Sequence, residues 1–376
     1  MRTIPLALPT FDKEMEEAAL NALRNERFVL GEEVYKFEEE FAKYVGSKYA
    51  VSTSSGTSAL HLSLLALGIS ASNEVITSSF SFIASANAIL HAGATPVFAD
   101  IDSKTFNIDP EEIKTKVNRH TKALLPVHLY GYPSNMKEIM RIAEDNELKV
   151  VEDACQTHGA KYRGMKAGAI GDVGCFSFYP SKNMTVCGDG GMIVTNDEET
   201  AKKAAKLRNC GRKAQYEHDV VGFTSRLNTV NAAIGRVQLR RLDEWNKKRV
   251  QNASVYDKLL SDIDEIVTPP QGDSEVKPVY HLYVVKATRR DELRGWLQNS
   301  GIQTGIHYPL PIPSQPIYKQ MFKYKDGAYP ISEQASLACL SLPIYPQLAK
   351  EDIEYICEKV HAFYGTFRAR TTRKTG

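Results

Sequence analysis

Short apolar runs alternate with amphipathic stretches between about residue 48 and residue 200, and this alternation predicts parallel strands connected by helices. The apolar runs that we predict to be strands are residues 49–53, 74–77, 96–101, 122–128, 149–152, 174–178 and 191–195. The stretches with helical spacing are residues 58–67, 85–91, 110–117 and 136–146. Only residues 180–190 separate the last two strands, so a hairpin or a long loop at a functional site is expected there. The pattern is typical of an α/β fold with helices on both faces of its sheet.

A long helix is predicted over residues 230–260, because apolar side chains recur there at helical spacing and charged residues extend the pattern. A chain of 376 residues is longer than one hydrophobic core usually serves, so we predict two domains with this helix as their connection. We place a large domain at residues 1–245 and a small α+β domain at residues 246–376. The N-terminal segment, residues 1–30, is expected to pack on the small domain.

In the small domain, two apolar runs and a helix are followed by a proline-rich stretch. Apolar runs at residues 280–286 and 302–308 flank a predicted helix at residues 291–299, and Gly301 is a good end for that helix. Four prolines follow between residues 309 and 316. Because proline interrupts both helices and central strands, we predict a loop over these residues.

Charge and cysteine usage exclude several classes of protein. The net charge is +2, with 24% charged residues, which does not indicate a nucleic-acid partner or a membrane surface. No apolar stretch approaches the roughly 20 residues that span a bilayer, and the N-terminus does not resemble a signal peptide. The six cysteines contain no C-x-x-C pair, so we predict no metal site, no disulfide framework and a reducing cytoplasm.

A lysine and an acid follow two of the predicted strands. Lys182 comes after the apolar and aromatic run 174–178, and Asp153 ends the run 149–152. Such strand ends form the ligand-binding edge of α/β sheets. A lysine amine and a carboxylate are also the two groups that a pyridoxal phosphate enzyme needs, one for a Schiff base and one to keep the pyridine nitrogen protonated. Taken singly, each is equally well a surface residue.

Side-chain alternation decides which acid faces this edge, because Glu152 and Asp153 must point in opposite directions along one strand. We choose Asp153. Gln156 is close enough in sequence to bond a phenolic oxygen of a ligand, whereas His158 is interpreted as a structural histidine rather than a base.

A second candidate feature joins a strand to a helix at Gly56. A glycine there lets the backbone approach a ligand, and the helix N-terminus offers free N–H groups to a phosphate, with Ser55 and Thr57 adding hydroxyls. The alternative is an N-capped helix without a ligand. Ser177 alternates with two phenylalanines and is expected to point toward the same phosphate. Phe82 is a candidate stacking ring, although an isolated phenylalanine is more often a core residue.

Together these segments resemble the DegT/DnrJ/EryC1/StrS family of pyridoxal phosphate-dependent sugar aminotransferases, which belong to the fold type I (aspartate aminotransferase-like) group. The resemblance covers nearly the whole chain and is most specific at residues 152–159, 176–183 and 188–191. It implies a large domain with a mixed, mostly parallel seven-stranded sheet and a small C-terminal α+β domain. It also includes residues 28–31, 37–38, 55–60, 75–77 with Phe82, 128–131, 225–228, 232–235, 238–239, 307–309 and 315–316.

The resemblance implies a role for each candidate. Lys182 is similar to the Schiff-base lysine and proton carrier, and Asp153 to the partner of the pyridine nitrogen. Gln156 resembles the partner of the ring hydroxyl, and Phe82 the stacking aromatic. The residues that resemble the phosphate binders are Gly56, Thr57 and Ser177.

The family also implies a homodimer with shared active sites. In many relatives an asparagine, two residues before the arginine equivalent to Arg226, reaches the phosphate from the other subunit. Thr224 occupies that position here. The cross-subunit contact is therefore expected from Thr224, Arg226 or Asn228.

The activity implied by the resemblance is transfer of an amino group, usually from L-glutamate, to a nucleotide-linked keto sugar in amino sugar and polysaccharide biosynthesis. A 3-keto hexose or 3-keto hexuronate is favoured, with His307 and Tyr308 as substrate contacts or as structural loop residues. Two alternatives stay open, a 4-keto sugar aminotransferase and a non-catalytic regulatory protein that binds the same cofactor. A dehydratase of this fold would carry histidine in place of Lys182.

Overall fold

The apolar and amphipathic patterns fold into thirteen strands and twelve α-helices within residues 3–372, the part of the chain that the computed structural model describes, with side chains up to residue 365. The helices are α1 (Lys13–Asn25), α2 (Glu32–Val45), α3 (Gly56–Ala66), α4 (Ala84–His91), α5 (Pro110–Lys116), α6 (Met136–Asp145), α7 (Glu198–Arg208), α8 (Thr229–Leu260), α9 (Arg290–Asn299), α10 (Pro316–Phe322), α11 (Pro330–Ala338) and α12 (Lys350–Thr372). The strands are β1 (Tyr49–Thr53), β2 (Glu74–Ser78), β3 (Thr95–Ala99), β4 (Thr121–Leu125), β5 (Lys149–Asp153), β6 (Lys161–Tyr162), β7 (Met165–Lys166), β8 (Val173–Ser177), β9 (Gly191–Thr195), β10 (Ile266–Val267), β11 (Val276–Lys277), β12 (Tyr283–Ala287) and β13 (Cys339–Leu342).

Seven strands form one mixed sheet in the order β1-β9-β8-β5-β4-β2-β3. The five strands from β8 to β3 run parallel, while β9 is antiparallel to both of its neighbours. This arrangement confirms the predicted seven-stranded, mostly parallel sheet. Successive residues enter different hydrophobic clusters, Val75 on one face of β2 and Ile76 on the other. Both faces are therefore covered, which explains why the strands read as continuous apolar runs.

A second sheet, β10-β12-β13, is antiparallel and packs with α9, α12 and the end of α8. The helix α8 joins the two regions. Leu242 lies in the core under the large sheet, whereas Tyr256 lies in the core of the second sheet. Because α8 continues unbroken past residue 245, it contributes to both cores, and the division into two domains at that residue stays a prediction.

The described N-terminal residues contact both regions. Ile4 forms a parallel bridge with Ile302, and the carbonyl of Leu6 accepts a hydrogen bond from the amide of Ile344 at 3.3 Å. Helix α1 packs instead on the first half of α8, where Met15 is buried. The segment thus leaves the second sheet region after about its first ten residues.

Two sequence predictions for the C-terminal part are wrong in detail. Residues 302–308, the second apolar run of the predicted α+β unit, form isolated bridges and no continuous strand. The predicted proline loop ends earlier than expected, because Pro316 begins helix α10. Proline is tolerated at a first helical position, where its missing N–H would have no intrahelical partner.

Within residues 3–372 every helix is too short or too polar to cross a lipid bilayer.

Candidate active site

A cavity of about 520 Å³ opens where strand ends of the large sheet meet the second region of the chain. One wall, which we call the sheet wall, comes from the ends of β5 and β8, the loop after β8 and the first turns of α3 and α4. The opposite wall, which we call the second wall, is formed by Leu6, Ala7, His281, Leu282, His307, Tyr308 and Ile344.

Lys182 lies in the sheet wall, in the turn after β8, where its amide donates to the carbonyl of Tyr179 at 2.8 Å. Burial of the side chain lowers the pKa of its amine, and the negative charge of Asp153 acts in the opposite direction. A lysine with a lowered pKa holds more of its amine in the neutral, nucleophilic form.

Asp153 is buried at the end of β5 and has two hydrogen-bond donors. Its Oδ2 accepts from the hydroxyl of Ser85 at 2.7 Å, and its Oδ1 accepts from the amide of Cys155 at 3.2 Å. Glu152 points to the other face of the sheet, where its carboxylate accepts from the amides of Gly168, Ile170 and Gly171. The alternation along β5 therefore places Asp153, and not Glu152, in the cavity.

Gly56 begins α3 and permits a close approach of two backbones. A Cβ atom at this position would lie 2.6 Å from Cβ of Ser177 and 2.9 Å from Sγ of Cys155, so a side chain does not fit. Ser55 caps the helix by accepting from the amide of Ser58 at 3.1 Å. The hydroxyl-bearing Thr57 and Ser177 also line this end of the cavity. A helix start with free N–H groups and adjacent hydroxyls suits a phosphate group.

Phe82 and Tyr308 form the aromatic part of the cavity. Phe82 is 54% exposed, which is unusual for a phenylalanine, and its ring centroid lies 6.1 Å from that of Tyr308. Gln156 accepts from the amide of Tyr130 at 3.0 Å and donates to the hydroxyl of Tyr308 at 3.4 Å. The exposed ring face is available for stacking on a flat ligand.

His307 lines the second wall, and its Nδ1 is paired with the hydroxyl of Ser341 at 2.8 Å. Burial and the nearby Lys182 lower the pKa of His307 to about 4. His158 is fully buried against Phe176 and Phe178, and neither ring nitrogen has a hydrogen-bond partner in the part of the chain that the structure describes. Burial lowers its pKa to about 3. Both imidazoles are therefore neutral near pH 7, and the position of His158 agrees with its structural interpretation.

Three of the predicted cofactor-binding residues lie outside this cavity. The hydroxyl of Thr224 pairs with Sγ of Cys210 at 3.3 Å, and the Arg226 guanidinium donates to Asn209 Oδ1 at 2.8 Å. Asn228 precedes α8 and lines a separate hollow of about 230 Å³. The remaining predicted residues share the cavity, namely Gly56, Thr57, Phe82, Asp153, Gln156, Ser177, Lys182, His307 and Tyr308.

Sequence reasoning missed Ser85, His281 and Asp189, which also line the cavity. Ser85 is the second residue of α4 and lies three positions after Phe82, which the sequence pattern does single out. His281 precedes β12 with no motif around it. Asp189 lies in the glycine-rich loop before β9, and its position between glycines was the available signal.

Comparison with known proteins gives consistent matches along almost the whole chain. Residues 9–361 match the DegT/DnrJ/EryC1/StrS aminotransferase family. The dTDP-3-amino-3,4,6-trideoxy-alpha-D-glucose transaminase of Streptomyces venezuelae is 42% identical over 340 residues, covering 90% of this chain and 88% of the relative. A pleiotropic regulatory protein of Geobacillus stearothermophilus is 43% identical over 347 residues, covering 92% and 93%. The structure of S. venezuelae DesV in complex with a ketimine intermediate has a TM-score of 0.91 at 40% identity and covers 93% of this chain and 94% of that one.

Proposed function

This chain belongs to the DegT/DnrJ/EryC1/StrS aminotransferase family, and from this premise we propose that it transfers the amino group of L-glutamate to a nucleotide-linked keto sugar with pyridoxal 5′-phosphate as cofactor. Membership of the family makes the chain an enzyme, an aminotransferase. A non-catalytic regulatory protein is therefore not proposed. The observation that carries the proposal is the meeting of Lys182, Asp153 and the Gly56 helix start in one cavity.

The residues present fit the cofactor. The start of α3 at Gly56, with Thr57 and Ser177, would hold the phosphate, since a side chain at Gly56 would fill that space. Asp153 would hold the proton of the pyridine nitrogen, Phe82 would cover a ring face, and Gln156 would bond the ring hydroxyl. When bound, pyridoxal phosphate supplies an electron sink for the carbon that loses its proton.

The chain itself contributes binding, orientation and proton transfer. Lys182 would be the covalent attachment point for the cofactor, and its Nζ would take a proton from the substrate carbon and return it. Asp153 would keep the pyridine nitrogen positively charged, and its two hydrogen-bond donors hold the carboxylate in one orientation. The second wall covers the reacting groups from water with Leu6, Leu282 and Ile344.

We propose position 3 of a hexose or hexuronate as the site of amination, with His307 and Tyr308 in contact with the sugar. The name of the S. venezuelae relative, a 3-amino sugar transaminase at 42% identity, supports this position. Amination at position 4 is the competing outcome of the substrate test.

We also propose a homodimer with shared sites. Among the described residues that line the cavity Lys182 is the one cation, whereas a phosphate and a dicarboxylate donor require more positive charge. Thr224, Arg226 and Asn228 lie outside the cavity of their own chain, which supports their predicted contact with the phosphate of a second copy.

The six unpaired cysteines support a reducing cytoplasm as the location of the protein.

The test begins with borohydride reduction of the cofactor-loaded protein and peptide mass mapping. The label is expected on Lys182, and Lys182→Ala should remove both the label and turnover while circular dichroism stays unchanged. A label on another residue, or turnover by the alanine variant, contradicts the proposal. Screening 3-keto and 4-keto sugar nucleotides with L-glutamate then decides the position and the donor.

A further inference from the structure

His281 has hydrogen-bonding capacity in the second wall that this chain does not use. The residue is 5% exposed, and its Nδ1 is buried without a hydrogen-bond partner among residues 3–365. Its neighbours in the wall are paired, His307 with Ser341 and Tyr308 with Gln156. Because a buried polar group without a partner costs free energy, a ligand that supplies the partner gains affinity there.

The backbone around His281 is held by several contacts. The amide of Leu282 donates to the carbonyl of Tyr130 at 3.2 Å, and the amide of Val279 donates to the carbonyl of Gly131 at 2.9 Å. A Cβ at Gly131 would lie 2.6 Å from the backbone nitrogen of His281, so the two segments are in close contact. The imidazole is thus presented from a fixed backbone, which lowers the entropic cost of binding.

Arg249 places a buried positive charge directly behind this part of the wall. Its Nη1 donates to the carbonyls of Tyr280, His281 and Ile344 at 3.2, 3.3 and 3.0 Å. The residue is 4% exposed, and no acidic side chain among residues 3–365 forms an ion pair with it. Burial lowers its pKa to about 10, so the guanidinium is charged at neutral pH.

We propose that His281, backed by Arg249, binds a carboxylate of the amino donor, an inference that rests on the proposed aminotransferase function. The imidazole N–H donates to the carboxylate, and Arg249 acts as a positioning residue that adds charge without touching the ligand. Burial and the neighbouring cations Lys182 and Arg249 keep the pKa of His281 well below its ordinary value. The imidazole is therefore neutral and has one N–H to donate.

The charge of Arg249 distinguishes a carboxylate from a sugar hydroxyl as the ligand. An uncharged hydroxyl gains little from a nearby cation, whereas a carboxylate is attracted through the low-dielectric wall. Glutarate tests this directly, because it carries both carboxylates of glutamate but has no amine and no hydroxyl, and so binds without reacting.

The experiment compares cofactor-loaded wild type with His281→Leu and His281→Gln. The L-glutamate concentration that gives half-saturation and the limiting rate are measured from the absorbance change in single-turnover mixing. The dissociation constant of glutarate is measured by calorimetry. We expect His281→Leu to weaken both constants about tenfold, the effect of losing one hydrogen bond to a charged group, with little change in the limiting rate. His281→Gln, which keeps an N–H donor, should stay within about threefold of wild type.

The control is His61→Leu, which removes an imidazole with an unpartnered nitrogen outside the cavity and should leave both constants unchanged. Unchanged constants in His281→Leu, or equal losses in the leucine and glutamine variants, would overturn the inference. If no amino acid alters the wild-type absorbance, the proposed function fails, and the glutarate constants still decide whether the site exists.

Discussion

The hydroxyl of Ser85 donates a 2.7 Å hydrogen bond to Oδ2 of Asp153, and both residues are buried. Ser85 belongs to the first turn of α4, so a helix start that follows β2 contacts the end of β5. Since the other oxygen of Asp153 accepts from the amide of Cys155, two donors fix the plane of the carboxylate. The orientation of the acid that we assign to the pyridine nitrogen thus depends on Ser85.

Replacing Ser85 with alanine should weaken cofactor binding about tenfold, because a hydrogen bond to a charged group is worth about 1.5–3 kcal/mol and Asp153 would lose one of its two donors. The cofactor dissociation constant is measured by titrating the apoprotein and following the visible absorbance. Ser85→Thr keeps the hydroxyl and serves as the matched variant. Equal affinity in Ser85→Ala and wild type would show that the contact is dispensable.

Gly56→Ala should abolish or strongly weaken cofactor binding and lower the free energy of unfolding by about 1–3 kcal/mol, the usual cost of overpacking. The new methyl group would lie 2.6 Å from Cβ of Ser177, an atom bonded directly to the backbone, and 2.9 Å from Sγ of Cys155. The matched control is Gly295→Ala in helix α9, where no atom of the described residues lies within 4 Å of the added methyl group. That change should stabilise the protein by about 0.5–1 kcal/mol, since alanine favours helices. Urea unfolding measures both, and an undisturbed Gly56→Ala variant contradicts the packing argument.

Asp100→Asn should lower the free energy of unfolding by about 1–3 kcal/mol through loss of a helix cap. The carboxylate lies just after β3 and accepts from the amide of Ile331 at 2.9 Å and from the amide of Ser332 at 3.0 Å. Those are the second and third residues of α11, whose own N-terminal residue provides no capping bond. The NH₂ group of an asparagine is itself a donor, so it could not accept from these backbone N–H groups.

For Asp100 the measurement is urea unfolding followed by circular dichroism. Asp145→Asn is the control, because its carboxylate is 60% exposed in a surface ion pair and its change should stay within about 0.5 kcal/mol. Equal stability of the two variants would mean that α11 does not need the cap.

The free energy of unfolding should fall as the pH is lowered from about 6.5, partly because of His158. Its pKa is about 3 in the folded protein, lowered by burial and Lys182, against 6.5 for the unperturbed group. Between these values the unfolded chain binds one more proton at this residue, so stability is complete above pH 6.5 and is lost on acidification. The slope from one such group is about 1.4 kcal/mol per pH unit.

His158→Leu should flatten this dependence, because leucine cannot bind the proton. Urea unfolding of the cofactor-loaded protein between about pH 7 and pH 5 gives the slopes. His281 and His307 act in the same direction, so part of the slope should remain. A slope equal to that of wild type would mean that His158 is accessible to protons in the folded state.

The strands of the large sheet were predictable because each is covered on both faces and reads as an apolar run. The first and last residues of β1 and β9 are the same as in the predicted strands. Alternation along one strand likewise placed Asp153 in the cavity and Glu152 behind it. These features depend on local periodicity, which the sequence carries directly.

What could not be predicted comes from contacts between distant segments. His281 is brought to the cavity by the pairing of residues 279–282 with Tyr130 and Gly131, and no local pattern encodes that pairing. Ser85 looked like an ordinary helix start. The run of prolines predicts a loop through Pro316 because proline disrupts helix interiors, although the position of Pro316 at the start of α10 avoids that conflict.

Leu6 and Ala7 line the cavity, and they are held there by a bridge from Ile4 to Ile302 and a hydrogen bond between Leu6 and Ile344. During synthesis on the ribosome Leu6 and Ala7 must therefore wait for segments roughly three hundred positions later before they reach their native place. A chain that ends between residues 190 and 280 has every residue of the sheet wall, yet it lacks most of the other side of its binding chamber. Truncated translation products are accordingly expected to be inactive even when the large sheet has formed.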